Sequence, residues 1–232
     1  MIKVRKSEER GFANHGWLQS RHTFSFANYY DPSFMGYSIL RVINEDKIQG
    51  GTGFGTHAHR NMEIISYVVE GALQHKDSMG TKAVILPGEI QRMSAGTGIQ
   101  HSEYNNHKDQ KAHFLQIWIE PQNAELEPSY AQQSFKSQLD DDEFVLVASP
   151  SGQNDSVTIQ QDIFIYACKT KLGSKKHYSC SKGRHICIQL IKGNIEVNGQ
   201  NLSEGDGAAI EGVEHLKLTW DKGAEFLLFD MP

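Results

Sequence analysis

Two short motifs in this chain hold residue types that bind metal ions. The first reads Gly51-Thr-Gly-Phe-Gly-Thr-His57-Ala-His59-Arg-Asn-Met-Glu63. On a strand, residues two apart point to the same face. His57 and His59 then share a side, and a continuous strand would place Glu63 on it too. Neutral imidazole nitrogen suits borderline divalent ions. The second motif reads Gly96-Thr-Gly98-Ile-Gln-His101-Ser-Glu103-Tyr-Asn105, and His101 and Glu103 are again two apart. Two such pairs on neighbouring strands of a small barrel would converge inside it. Three histidines and one carboxylate leave positions open for water, oxygen or substrate, and an open position separates a catalytic site from a closed structural one.

HxH alone is weak evidence, because a strand often carries two histidines without metal. HxH followed by HxE, each behind a glycine-rich turn, is much less easily an accident. Spacing leaves the carboxylate open between Glu63 and Glu103. The remaining histidines (His15, His22, His75, His107, His113, His177, His185 and His215) show no comparable pairing and read as surface or core residues. The glycine runs resemble fragments of phosphate-binding loops, but no βαβ pattern follows and the lysine or third glycine is missing. They read as turns near a barrel mouth.

The elements that must position these residues are strands. Short apolar runs such as SYVVEGALQH, KAVILPGEIQRM, HFLQIWIEP and ICIQLIKGNIEVNG alternate with turns, which is the pattern of a sandwich or barrel. The 21 glycines fit many tight turns. A boundary is expected between Pro121 and Glu143, where prolines and the acidic run Asp140, Asp141, Asp142, Glu143 interrupt the strands. The chain divides into residues 1–132, carrying the metal site, and 133–232. The halves share a hairpin pattern, with Glu70-Gly71 and Pro87-Gly88-Glu89 in the first and Lys192-Gly193-Asn194 and Glu204-Gly205 in the second.

Composition narrows the functional classes. With 38% hydrophobic and 22% charged residues, the 232-residue chain is of ordinary globular type. A net charge of −5 argues against direct nucleic-acid binding. The basic stretch from Lys169 to Arg184 reads as solvated surface. Apolar runs are too short for a membrane helix, and the charged N-terminus lacks a signal-peptide core. A cytoplasmic protein is expected. Cys168, Cys180 and Cys187 have no CxxC spacing and read as reduced thiols.

The two motifs resemble those of the cupin family: Gly51, His57, His59, Glu63 and Gly71 follow its first motif, and Gly98, His101 and Asn105 the end of its second. Gly96-Thr-Gly98 departs from the usual P-x-G. The runs HTFSFANYYDP, LRVINED, GFGTHAHRNMEIISYVVEG, HKDSMG and MSAGTGIQHSEYN are similar to the pirins, in particular short bacterial ones, densely from Arg5 to Pro121. That resemblance implies an all-β bicupin, two tandem β-barrels with the metal in the N-terminal one. It implies the ligands His57, His59, His101 and Glu103, leaving Glu63 a supporting role.

The pirin resemblance also implies a function. Some pirins resemble quercetin 2,3-dioxygenases, so the expectation is a metal-dependent dioxygenase acting on a flavonol and O2. Glu103, or in second place Glu63, would take the substrate hydroxyl proton. Phe54 and Met93 are candidate apolar walls or ordinary core. The ion would be a divalent transition metal, iron first, with Ni, Cu, Co, Mn or Zn also accepted by these donors. The alternative is a metal- or redox-sensing pirin that binds a partner protein, since eukaryotic pirin is an iron-dependent cofactor of transcription regulators.

Overall fold

A computed structural model describes residues 1–139 and 144–232. The acidic run Asp140 to Glu143, used above to mark a boundary, lies outside the described residues. Among the described residues the only α-helix is the single turn Lys136–Leu139. The rest of the regular structure is strand, apart from two short 3-10 turns.

The strands form two matching sets. In the N-terminal half a seven-stranded sheet runs in the order Ser129–Ser134, Glu89–Ser94, Glu63–Glu70, Ala112–Ile119, Leu40–Ile48, Leu18–His22, Gly11–Asn14. A four-stranded sheet, ordered Gly53–His59, Ile99–Asn105, Leu73–Asp77, Lys82–Ile85, packs against it. The C-terminal half repeats the plan with sheets of seven and four strands. Its seven-stranded sheet includes Ile2–Arg5, which pairs antiparallel with Gly207–Ile210. The first strand of the chain thus crosses to the second half.

Glycine geometry shows that the halves are repeats. Gly71 has φ +80°, and a Cβ there would lie 2.7 Å from the Lys111 carbonyl oxygen and 2.9 Å from the Ala112 Cα. Gly193 has φ +86°, and a Cβ there would lie 2.5 Å from the Gly223 carbonyl oxygen and 3.2 Å from the Ala224 Cα. Both turns need the left-handed conformation and close backbone approach that glycine permits. The equivalence sets Glu63–Glu70 beside His185–Lys192 and Ala112–Ile119 beside Glu225–Met231.

These equivalent strands are buried on both faces, which explains runs such as EIISYVVE that do not alternate. One face packs between the halves, where Ile65, Tyr67, Ile117, Val147, Leu227 and Phe229 share one core. The other face points into each barrel, and here the halves differ. The C-terminal barrel is filled by Ile186, Ile188, Phe226, Leu228, Leu218 and Trp220. In the N-terminal barrel, Ser66 stands where Ile188 stands in the repeat, and Gln116 where Leu228 stands. Polar side chains in the middle of a barrel need partners or a ligand, and the chemistry gathers around them.

Candidate metal centre and cavity

Strand Ile99–Asn105 lies between Gly53–His59 and Leu73–Asp77, and its register brings distant residues together. His101 is opposite His57 on one side and Asp77 on the other, while Glu103 is opposite Phe54 and His75. A register shift between His101 and Glu103 places two residues of one strand, Gly55 and Thr56, against one of the other, Ser102. Such a bulge re-aims side chains. It brings Phe54 into the barrel beside His57, although the two are an odd number of residues apart.

The three histidines converge. Ring centroids are 4.8 Å apart for His57 and His59, 4.5 Å for His57 and His101, and 4.8 Å for His59 and His101. Their ligand atoms all lie within 4.8 Å of one another. Gly55 O accepts a hydrogen bond from His57 Nδ1 at 2.8 Å, which leaves Nε2 with its lone pair free. His57 Nε2 is 3.1 Å from His101 Nε2. Two nitrogens each ~2.0–2.1 Å from one ion, at a right angle, would be about 3 Å apart. Burial and the neighbouring imidazole lower His59 to about 4. Burial and the adjacent histidines lower His101 to about 2. Both rings are therefore neutral near pH 7, the form in which imidazole binds metal. The donor set fits a divalent transition ion.

Glu103 is fully buried beside this cluster. Its Oε1 accepts from Ser66 Oγ at 2.9 Å, and its Oε2 accepts from Gln116 Nε2. Burial pushes the Glu103 carboxyl up to about 7; a dication alongside would favour its ionised form. Its carboxylate groups with His101 and His75 within 4.8 Å. His101 is thus shared between two overlapping clusters, one with His57 and His59 and one with His75 and Glu103.

Glu63 is placed elsewhere. A turn at Arg60 to Met62, with Asn61 at φ 50°, separates Gly53–His59 from Glu63–Glu70. The single continuous strand assumed from spacing does not exist. Glu63 accepts from the Gln160 backbone N–H at 3.2 Å and is bonded by Ser94, on the side facing the C-terminal half. It neither faces the histidines nor supports them. Met93 also differs from the wall role considered for it: it is fully buried in a cluster with Ile64, Ala95 and Ile99. Phe54 does line the cavity, with Trp17 edge-on at 5.4 Å.

Two histidines read as unpaired belong to the barrel interior. His75 is fully buried, its Nε2 is 2.9 Å from Asp77 Oδ2, and its ring lies 5.4 Å from that of His101. The pair His75-x-Asp77 is a third i, i+2 pattern in the sequence, and would have been the signal. His22 borders the cavity described next. Nothing in its local sequence distinguishes it; cross-strand register brings it there.

The cavity has a volume of about 780 Å³, within the ~300–1,000 Å³ of typical small-molecule sites. His57 and His59 open onto it, and Trp17, Phe26, Phe54 and Trp118 form aromatic walls. Trp118 is edge-on to His59 at 4.8 Å and to Phe26 at 5.4 Å. A flat aromatic molecule could lie against these rings next to the histidines.

Residues 3–119 match the Pirin family. The chain belongs to the pirin family. Residues 146–231 match the Quercetinase C-terminal cupin domain family. The two cupin barrels expected of a pirin are the two sets of sheets described above. This pirin is 47% identical over its full length to a quercetin 2,3-dioxygenase of Escherichia coli strain K12, of which it covers 99%. It is 39% identical to a pirin-like protein of Caulobacter vibrioides, with 99% of each chain covered. The bacterial pirin YhhW of Escherichia coli, in complex with nickel(II), matches it with a TM-score of 0.95 at 46% identity, covering 100% of this chain and 99% of that one. Among the described residues of this pirin, both clusters able to hold an ion lie in the N-terminal barrel.

Proposed function

We propose that the chain is a metal-dependent dioxygenase that cleaves a flavonol such as quercetin with O2, of the quercetin 2,3-dioxygenase type. The observation that carries this is the convergence of His57, His59 and His101 at an aromatic-walled cavity large enough for such a substrate. The name of the 47%-identical relative supports it. In this reading His57, His59, His101 and Glu103 hold one ion. Iron is the resident metal proposed; nickel, copper, cobalt, manganese and zinc also suit these donors. The reaction takes place in the cytoplasm.

An ion held there would supply Lewis acidity to a bound substrate hydroxyl. The protein residues do the rest. The aromatic walls orient the flat rings next to the histidines and exclude water from them. Glu103 takes the proton of the substrate 3-hydroxyl on a carboxylate oxygen. A dication alongside would keep this buried carboxylate in its ionised, proton-accepting form near neutral pH. Ser66 and Gln116 hold the carboxylate in place. The heterocycle then opens with uptake of O2 and release of carbon monoxide.

The test is elemental analysis of protein purified without an affinity metal, paired with oxygen uptake and carbon monoxide release on quercetin. The expected result is about one transition-metal ion per chain and catalytic turnover that chelation abolishes. Metal-loaded, folded protein that consumes no oxygen with any flavonol would refute the dioxygenase reading.

A further inference from the structure

Across the interior of the N-terminal barrel runs a rung of polar residues. Ser66 is opposite Gln116, Gln116 opposite Asn44, and Asn44 opposite His22 on four adjacent strands. Ser66 and Gln116 are engaged by Glu103. Asn44 and His22 border the cavity one and two strands farther on, which puts His22 about 10 Å from Gln116 at ~4.8 Å per strand. The rung therefore runs from a proposed metal ligand to a second polar station, a distance comparable with the length of a molecule of two or three rings.

The orientation of His22 is defined. Asn44 Oδ1 lies 2.8 Å from His22 Nδ1 and Ser20 Oγ lies 3.3 Å from the same atom. A carbonyl oxygen can only accept, so Nδ1 carries the proton and Nε2 keeps its lone pair. Both neighbours lie at Nδ1, which leaves Nε2 to a molecule in the cavity. Burial lowers the His22 pKa, which favours the neutral ring. The ring is set between Phe26, centroid 5.3 Å away, and Tyr29, 6.3 Å away.

An independent observation sits next to it. Asp46 is 2% exposed, borders the same cavity, and has a buried Oδ1 with no hydrogen-bond partner in the protein. Asp46 is opposite Ser20 in the sheet, one rung beyond Asn44. A histidine retained only to fill a core would not need an unpartnered carboxyl oxygen alongside, because buried polar atoms without partners are costly. Two such polar groups in a cavity with aromatic walls match a ligand with hydroxyls on its distal ring.

We infer that His22, oriented by Asn44 and accompanied by Asp46, is a specificity-determining residue that accepts a hydrogen bond from a phenolic hydroxyl remote from the hydroxyl at the metal. This deepens the flavonol reading above and rests on it. The class of substrate it selects is a polyhydroxylated flavonol, over a flavonol carrying the 3-hydroxyl alone.

The experiment compares quercetin with 3-hydroxyflavone on wild type, His22→Leu and His22→Gln, with circular dichroism and thermal melts confirming folding. The readouts are kcat/KM for each substrate and, without oxygen, the Kd of each from quenching of tryptophan fluorescence. Wild type is expected to bind quercetin at least about tenfold tighter than 3-hydroxyflavone, the effect of one hydrogen bond to a buried partner. In His22→Leu the ratio of kcat/KM for quercetin to that for 3-hydroxyflavone is expected to fall about tenfold, mainly through KM. His22→Gln, which keeps an acceptor, is expected to restore most of that ratio. Equal losses on both substrates would overturn the inference and leave the dioxygenase reading intact. A wild type that binds both flavonols equally, or binds neither, would overturn it as well, even if His22→Leu did not fold. Absence of turnover together with a quercetin preference that depends on His22 would remove the dioxygenase reading and keep His22 as a recognition residue.

Discussion

Glu103 accepts a hydrogen bond from Ser66 at 2.9 Å, inside the N-terminal barrel. Glu63 begins the same strand as Ser66, an odd number of residues earlier, and so points to the opposite face, toward the second half. The two glutamates that spacing could not separate are therefore on opposite sides of one sheet.

Glu103→Ala is expected to lose most metal binding, because it removes both a proposed donor and the charge that would balance a dication. Glu63→Ala is expected to keep about one ion per chain. It should instead destabilise the fold by ~1–3 kcal/mol, since it leaves the Gln160 N–H without its acceptor. Elemental analysis and urea unfolding of both variants check this. Metal loss in Glu63→Ala with retention in Glu103→Ala would reverse the assignment.

Asp46 sets a pH dependence of stability. Burial raises its pKa to about 7 from an ordinary 3.8. Below the ordinary value the group is protonated in both folded and unfolded chains and contributes nothing. As pH rises past it, the unfolded chain ionises while the folded one resists, so stability falls up to about pH 7 and then levels off. Asp46→Asn should therefore be more stable than wild type at pH 8, by ~1–3 kcal/mol, and should lose that advantage near pH 4. Unfolding curves at the two pH values decide it.

Trp118 is a cavity wall set edge-on to His59. Trp118→Ala is expected to raise KM for quercetin about tenfold, equivalent to ~1.4 kcal/mol. The effect on kcat should be smaller, because the wall contacts the substrate both before and during reaction. Steady-state kinetics separate the two. A fall in kcat at constant KM would show that Trp118 acts through His59 and not on the substrate.

The thiols should react unequally. Cys168 and Cys187 are buried, and burial pushes Cys187 up to about 12, whereas Cys180 is partly exposed. Brief alkylation of the native protein, read by mass spectrometry, is expected to label Cys180 first and to spare Cys187 until the protein is unfolded.

Much of this protein is written in short-range pattern. Apolar runs broken by glycine turns specify strands, and the turns at Gly71 and Gly193 mark the repeat, because left-handed backbone and close approach both require glycine. His57, His59 and His101 could be selected from the i, i+2 rule alone, since side-chain direction within one strand is a local property. The tertiary structure decided what depends on turns, bulges and pairing between distant segments. The turn at Asn61 sent Glu63 to the other face, the irregularity opposite His101 turned Phe54 inward, and Met93 went to the core. Register brought His75 beside His101 and His22 beside Asn44. A slip of one residue reverses every side chain of a strand, and the packing of both barrels together fixes that register, so no single segment encodes it.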